Sequence, residues 1–159
     1  VGDKIAVMHE GLVHQVDTPH NVYHRPANLF VGAFIGLPPI NRFSCALQQS
    51  GGTLALASNR FSLPLPEAIA SRLTGASSRI TLGVRPEFMA MGADGAIGGA
   101  IKLIEMMGSR TLVLLDSDGD EIRVLVQGAP PVREGDRVGV TPELSRAFYF
   151  DEDGRNLLL

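Results

Sequence analysis

From residue 41 onward, Gly, Asp, Asn and Pro divide the chain into short apolar runs, and this division limits the fold more than any other sequence feature. Each run is short for a helix but long enough for a strand, and turn-forming residues separate it from the next. The runs predicted as strands are residues 42–48, 53–57, 79–84, 97–106, 111–115, 121–126, 137–141 and 147–150. Only residues 66–73, which begin with Pro, have a helical pattern. Many short strands with one short helix predict a mainly β fold, a small closed or partly closed barrel of the oligonucleotide/oligosaccharide-binding (OB) kind.

The first 37 residues have a different pattern, which predicts a β-hairpin followed by two short helices. Residues 5–8 and 12–16 are strand-like runs on either side of a Glu-Gly turn. A Thr-Pro pair then favours a helix over residues 20–24, and a second helix is predicted over residues 29–35. We expect the apolar stripe of this second helix to lack partners within the chain. The Pro pair at 38 and 39 marks a boundary between residues 1–37 and 38–159. Because the chain begins without Met and runs at once into a strand, we expect a fragment of a longer protein.

Composition makes several classes of protein poor candidates. The formal net charge is -3, aromatic residues make up 6% and Trp is absent, so the chain offers little to attract phosphate backbones or to stack bases. A single cysteine, Cys45, cannot form an internal disulfide, and we expect it to pack in the core. No apolar stretch approaches the ~20 residues that a membrane-spanning helix needs, so we expect no membrane crossing.

Several segments, in order along nearly the whole chain, resemble the ATP-hydrolysing subunits of bacterial ABC importers of the carbohydrate-uptake type. The segments before the boundary, similar to the end of the nucleotide-binding domain in such subunits, are residues 5–11 (IAVMHEG), 15–19 (QVDTP), 25–31 (RPANLFV) and 34–39 (FIGLPP). Those beyond it are residues 82–87 (LGVRPE), 105–113 (EMMGSRTLV) and 133–139 (REGDRVG). The resemblance is to the maltose and glycerol-phosphate importers, and it implies that residues 38–159 form a regulatory TOBE (transport-associated OB) domain.

The resemblance also implies partners and a location. Subunits of this family work as homodimers and join membrane-spanning permease subunits through the nucleotide-binding domain, on the cytoplasmic face of the membrane. They bind ATP and Mg, for which this chain carries no motif: a phosphate loop needs a Gly-Lys pair, and the sequence contains none. We therefore expect the chain to be non-catalytic and to hold no cofactor, while a full-length parent would be an ATPase.

Two segments imitate catalytic motifs without completing them. Residues 112–116 are an apolar run that ends in Asp, as in a Mg-binding strand, but Ser117 stands where the family has a catalytic Glu. Ser50-Gly51-Gly52 resembles the ABC signature yet lacks its flanking Leu and Gln. Both are interpreted as turns that join strands.

No metal site is predicted. Asp116, Asp118 and Asp120 have the odd spacing of a calcium loop, but Glu121 occupies the position of its required Gly. The four His residues all lie in the first segment, and His20 with His24 shares a helix face without a third ligand in a zinc pattern. Solvated surface is the interpretation for these side chains.

The candidate interface residues are Arg85, Pro86 and Glu87, with the turn Gly108, Ser109 and Arg110. Pro fixes the local backbone, so the charges of Arg85 and Glu87 stand at a defined corner of the barrel. They form either a local ion pair at a strand end or a contact with another domain or subunit.

Three functions remain open: a regulatory and dimerisation module, a TOBE domain that senses a small solute or oxyanion, and a nucleic-acid-binding OB module. Scattered cations argue against the second and the acidic balance against the third.

Overall fold

The computed structural model describes residues 2–159, and it begins with a hairpin and two short helices. Strands β1 (Ile5–His9) and β2 (Leu12–Asp17) are antiparallel, and helices α1 (Pro19–His24) and α2 (Leu29–Phe34) follow. Thr18 caps α1 by accepting a hydrogen bond from the backbone N–H of Asn21, as the sequence predicts. Asn28 caps α2 in the same way.

The remaining elements form a β structure with one further α-helix. In chain order they are β3 (Asn41–Ser50), β4 (Thr53–Ala57), β5 (Ser62–Pro64), α3 (Glu67–Leu73), β6 (Arg79–Val84), β7 (Met89–Gly92), β8 (Ile97–Met107), β9 (Arg110–Ser117), β10 (Asp120–Gln127), β11 (Arg137–Pro142) and β12 (Phe148–Phe150). Two 3₁₀ turns, Pro86–Phe88 and Leu144–Arg146, precede β7 and β12.

These strands make two antiparallel five-stranded sheets. The first has the order β12-β6-β3-β4-β5 and the second β10-β9-β8-β11-β7. The main core contains fully buried residues of both sheets, among them Leu56 and Leu82 of the first and Leu115 and Val140 of the second. Alternation along each strand sends every second side chain into this core and leaves the others on an outer face.

The structure confirms the predicted fold class, a mainly β, OB-like architecture that follows a hairpin and helices. All eight predicted strands are present with shifts of at most two residues at an end. Strands β5 and β7 were missing from the prediction because Ser62–Pro64 is very short and Met89–Gly92 contains no β-branched residue. Within residues 2–159, no helix has both the length and the apolar character to span a membrane.

Candidate functional site

The outer face of the first sheet is half covered by helix α2. Phe148 and Phe150 of β12 are buried with Ile40, and Leu29 and Ala33 of α2 pack against them. The close approach requires Gly83 on β6, since a Cβ there would lie 2.9 Å from Cε2 of Phe150. Helix α2 is therefore joined to the barrel by a packed apolar contact.

Arg85 adds hydrogen bonds between the helices and the barrel beside this contact. It directly follows β6, is 1% exposed, and donates from Nη1 to the carbonyls of Gly32 (3.1 Å) and Ile35 (2.6 Å) and from Nη2 to that of Tyr23 (2.7 Å). These carbonyls lie at the C-terminal ends of α1 and α2, where no later turn of helix supplies a donor. The guanidinium thus caps both helices at once, at the ends where partial negative charge favours a cation.

Tyr23 and Glu87 complete the surroundings of this buried cation. The Tyr23 ring lies 3.9 Å from Cζ of Arg85, in cation–π geometry, and its hydroxyl donates to Oε1 of Glu87. Burial and the Glu87 hydrogen bond raise the pKa of Tyr23 to about 12. Burial lowers the pKa of Arg85, and its Nε has no hydrogen-bond partner in the described chain. We call Tyr23, Gly32, Ile35, Arg85 and Glu87 the Arg85 junction.

The residues after β12 form a second set of hydrogen bonds, with the segment that links α1 to α2. The backbone N–H of Leu29 donates to the carbonyl of Gly154 (2.7 Å), and that of Asn156 donates to Ala27 (3.1 Å). The Asn156 side chain donates to the carbonyl of Pro26 (2.8 Å). The link between α1 and α2 is therefore held by the last residues of the chain.

The predicted interface residues lie in different surroundings. Arg85 and Pro86 are buried inside the chain, so in this conformation they do not face a partner, and Glu87 is half buried. Gly108, Ser109 and Arg110, by contrast, are exposed. None of the ion pairs of residues 2–159 joins Arg85 to Glu87, and Arg85 instead contacts the helices of the first 37 residues. A contact of this segment with another subunit stays a prediction.

Glu87 and Arg110 both border a groove of about 1020 Å³. Its lining is largely apolar and includes Phe88, Met91 and Pro131. The exposed part of the predicted interface is thus next to an apolar surface, although a contact between copies stays a prediction.

A second groove, of about 980 Å³, lies on the part of the first sheet that α2 leaves uncovered. Residues of β3, β4 and β6 form its floor, and its lining includes Arg42, Arg60 and Arg79. Sequence reasoning missed this site because its arginines come from two strands and a loop. Only the pairing of β3 with β6 places Arg42 and Arg79 on one face.

The smaller sequence interpretations can also be located. Cys45 is buried in the core, and burial raises the pKa of its thiol to about 11. The segment after Asp116 is a turn in which Asp116 accepts from the N–H of Gly119, and Ser50 to Thr53 join β3 to β4. The rings of His20 and His24 are in tilted contact, with their centroids 4.4 Å apart. No group of three or more potential metal ligands is assembled by residues 2–159.

Residues 82–150 match the family model described as TOBE domain. The chain is similar over 98% of its length to the maltose/maltodextrin import ATP-binding protein of Vibrio parahaemolyticus, with 32% identity and 43% of that protein covered. The sn-glycerol-3-phosphate import ATP-binding protein of Cereibacter sphaeroides is also 32% identical, over 99% of this chain and 43% of its own. An uncharacterized ABC transporter ATP-binding protein of Sinorhizobium fredii is 35% identical over 95% of this chain and 40% of its own. The chain thus spans about two fifths of the length of these relatives.

Among solved structures, the cytoplasmic molybdate-binding protein ModG is similar in fold, with a TM-score of 0.55 and 16% sequence identity. The match covers 69% of this chain and 94% of that one.

Proposed function

We propose, from the premise that this chain carries the TOBE domain of an ABC importer ATP-binding protein, that it is the non-catalytic regulatory and dimerisation part of such a subunit. The parent would couple ATP hydrolysis, with ATP and Mg bound by a nucleotide-binding domain, to import of a carbohydrate-like solute. It would lie on the cytoplasmic face of the membrane and act with permease subunits. The observation that carries the proposal is the alignment of 95% or more of this chain with importer ATP-binding proteins.

The Arg85 junction supports the regulatory part of this proposal. Residues 1–37 resemble the end of a nucleotide-binding domain, and the junction fastens their helices to the barrel by directional hydrogen bonds. Because those bonds fix both helix ends to the strand that precedes Arg85, a displacement of the barrel would be passed to the helices. This is a physical route by which a regulatory domain can act on a catalytic one.

A chimeric transporter tests the proposal. Residues 1–159 would replace the matching region of the Vibrio parahaemolyticus maltose/maltodextrin import protein, and ATP-dependent maltose uptake would be measured in vesicles with its own permease. We expect uptake to be supported, and Arg85→Met in the chimera to reduce it. The matched variant Arg133→Met, at an exposed arginine with no side-chain ion pair in the described chain, should leave uptake unchanged. A folded, membrane-assembled chimera without uptake would contradict the proposal.

The isolated chain tests the non-catalytic assignment. We expect no ATP turnover above a protein-free control, and no calorimetric ATP binding tighter than ~1 mM. Turnover that persists through purification would overturn this part.

Dimerisation is tested separately. A stable symmetric contact buries on the order of 1,000 Å² or more, and the surface around Gly108, Ser109 and Arg110 beside the apolar groove is the proposed location. Sedimentation over a broad concentration range should show reversible dimers that Arg110→Glu weakens and Arg133→Glu does not. A monomer at every concentration would remove the dimerisation claim.

A further inference from the structure

The uncovered half of the first sheet has a floor of small and hydroxyl-bearing side chains between two arginines. Ser44 of β3 is paired directly with Thr81 of β6, and their side chains point to the outer face. Arg42 and Arg79 lie on the same face on either side of this pair, opposite Gly83 and Ala46 respectively. At a strand rise of about 3.3 Å per residue, their Cα atoms are roughly 14 Å apart, so both long side chains can reach a group above the hydroxyls.

Both arginines are available for such a group. None of the ion pairs formed by residues 2–159 involves Arg42 or Arg79, and both side chains are exposed. The third arginine of the groove, Arg60, is already engaged, because it bonds Ser117 and Asp120. Arg60 therefore belongs to one wall of the groove, and the arginines of the floor without an ion pair among residues 2–159 are Arg42 and Arg79.

Most of the carboxylates around the groove are also engaged. Asp120 pairs with Arg60, and Glu121 is shared by Lys102 and Arg123. Asp151 accepts hydrogen bonds from the backbone N–H groups of residues 153 and 155. Asp151 keeps its negative charge, and Glu152 is the remaining acid of the lining, so the two free cations lie in a groove with two carboxylates that no cation of residues 2–159 pairs.

We infer that this groove binds a phosphate group, with two oxygens held by Arg42 and Arg79 and a third accepting from the hydroxyls of Ser44 and Thr81. Arginine suits this role because its planar donors match phosphate oxygens in pairs. The volume of about 980 Å³ leaves room for a small polyol attached to the phosphate, whose hydroxyls would meet Asn59 and Glu152 on the walls. The ligand class is therefore inorganic phosphate or a small phosphorylated polyol. The inference goes beyond the proposed function and does not depend on it.

Calorimetry on the 159-residue chain tests the site, with inorganic phosphate, glycerol 3-phosphate and uncharged glycerol as probes at constant ionic strength. We expect the two phosphate compounds to bind and glycerol not to bind. Arg42→Gln and Arg79→Gln should each weaken phosphate binding about tenfold or more, because each removes a charge-assisted contact. Arg133→Gln removes the same charge outside the groove and should have no effect.

The outcomes separate the two sources of phosphate. Equal affinity for both compounds would assign a phosphate sensor, whereas glycerol 3-phosphate binding about fivefold tighter or more would assign a phosphorylated polyol, with the polyol contacting the walls. Circular dichroism and thermal midpoints establish that the variants are folded, as expected for exposed arginines. Absence of binding at ~10 mM, or binding that neither Arg42→Gln nor Arg79→Gln weakens, would overturn the inference.

Discussion

Replacing Arg85 by Met removes the cation from the junction but keeps an unbranched apolar stem. Three hydrogen bonds from the guanidinium to backbone carbonyls are lost, each worth about 1.5 kcal/mol at the low end for a charged donor. The cation–π contact with Tyr23 adds about 1 kcal/mol. Burying the Arg85 charge costs several kcal/mol of desolvation, which offsets part of these contributions. In the Met variant this cost is absent, but the three carbonyls lose their hydrogen-bond donor. We expect a net loss of about 2–4 kcal/mol in the free energy of unfolding.

Urea unfolding measures this loss, and hydrogen exchange locates it. A loss of about 3 kcal/mol lowers the thermal midpoint of a chain of this size by about 6–12 °C. Backbone amides of α1 and α2 should lose protection before those of the barrel core, because the lost bonds hold the helix ends. Arg85→Lys should be more stable than Arg85→Met but less stable than the parent chain. The compact ammonium lacks the planar, forked donors with which the guanidinium bonds three carbonyls at once. A change below about 1 kcal/mol, or unchanged protection of the helices, would refute the capping argument.

Further substitutions test the same region. Gly36→Ala should cost about 1–2 kcal/mol in urea unfolding, because φ is +114° and the added Cβ would lie 2.9 Å from Nη1 of Arg85; Gly108→Ala, with positive φ but open space, should cost less. Gly83→Ala should cost about 1–3 kcal/mol by forcing Phe150 away from β6, and normal stability would contradict the close packing. The raised pKa of Tyr23 means that the folded chain holds this proton more tightly than the unfolded chain. Its contribution to stability is complete below pH 10 and lost as the pH rises through about 12, so Tyr23→Phe should flatten the stability profile in that window. An unchanged profile in the variant would show that Tyr23 does not titrate there.

The sequence predicted the elements well because local signals determine them. Thr18 and Pro19 define the start of α1, and the positive-φ pair Gly51 and Gly52 lies in the turn between β3 and β4. Alternation in β3 sends Phe43 and Cys45 inward and Arg42 outward, which follows from the strand period alone. Short-range chemistry was therefore sufficient for the fold class and for most boundaries.

The junction could not be predicted in the same way. Arg85 was recognised as a charge at a fixed corner, but its partners are 50 to 62 residues away and are backbone carbonyls, which carry no residue signature. The apolar stripe of α2 was expected to lack partners within this chain. That expectation was wrong for Val31, which is fully buried, and for Leu29, which packs on Phe148 and Phe150, although Phe34 is 65% exposed. The Leu29 contact depends on β12 returning beside β6, a long-range pairing, whereas Val31 is buried against Val7 and Val22.

Strand β6 connects the proposed phosphate groove with the Arg85 junction. Its outward positions follow one another at every second residue: Thr81 lies in the floor of the groove, Gly83 lies under Phe150, and Arg85 caps the helices just after the strand ends. The inward side chains of the same strand are buried in the main core, which holds the strand in place. They are Ile80, Leu82 and Val84. A phosphate held above Thr81 would also lie beside Leu29 and Gly154, which line the groove and are themselves hydrogen-bonded to each other. Ligand binding in the groove and opening of α2 are two coupled equilibria, and such coupling is reciprocal. If the bound ligand lowers the opening constant of α2 by some factor, then opening of α2 lowers the affinity for the ligand by the same factor. Phosphate bound in the groove would therefore change the free energy of opening the helices at the Arg85 junction. The two sites are connected by strand β6 and by the hydrogen bond between Leu29 and Gly154.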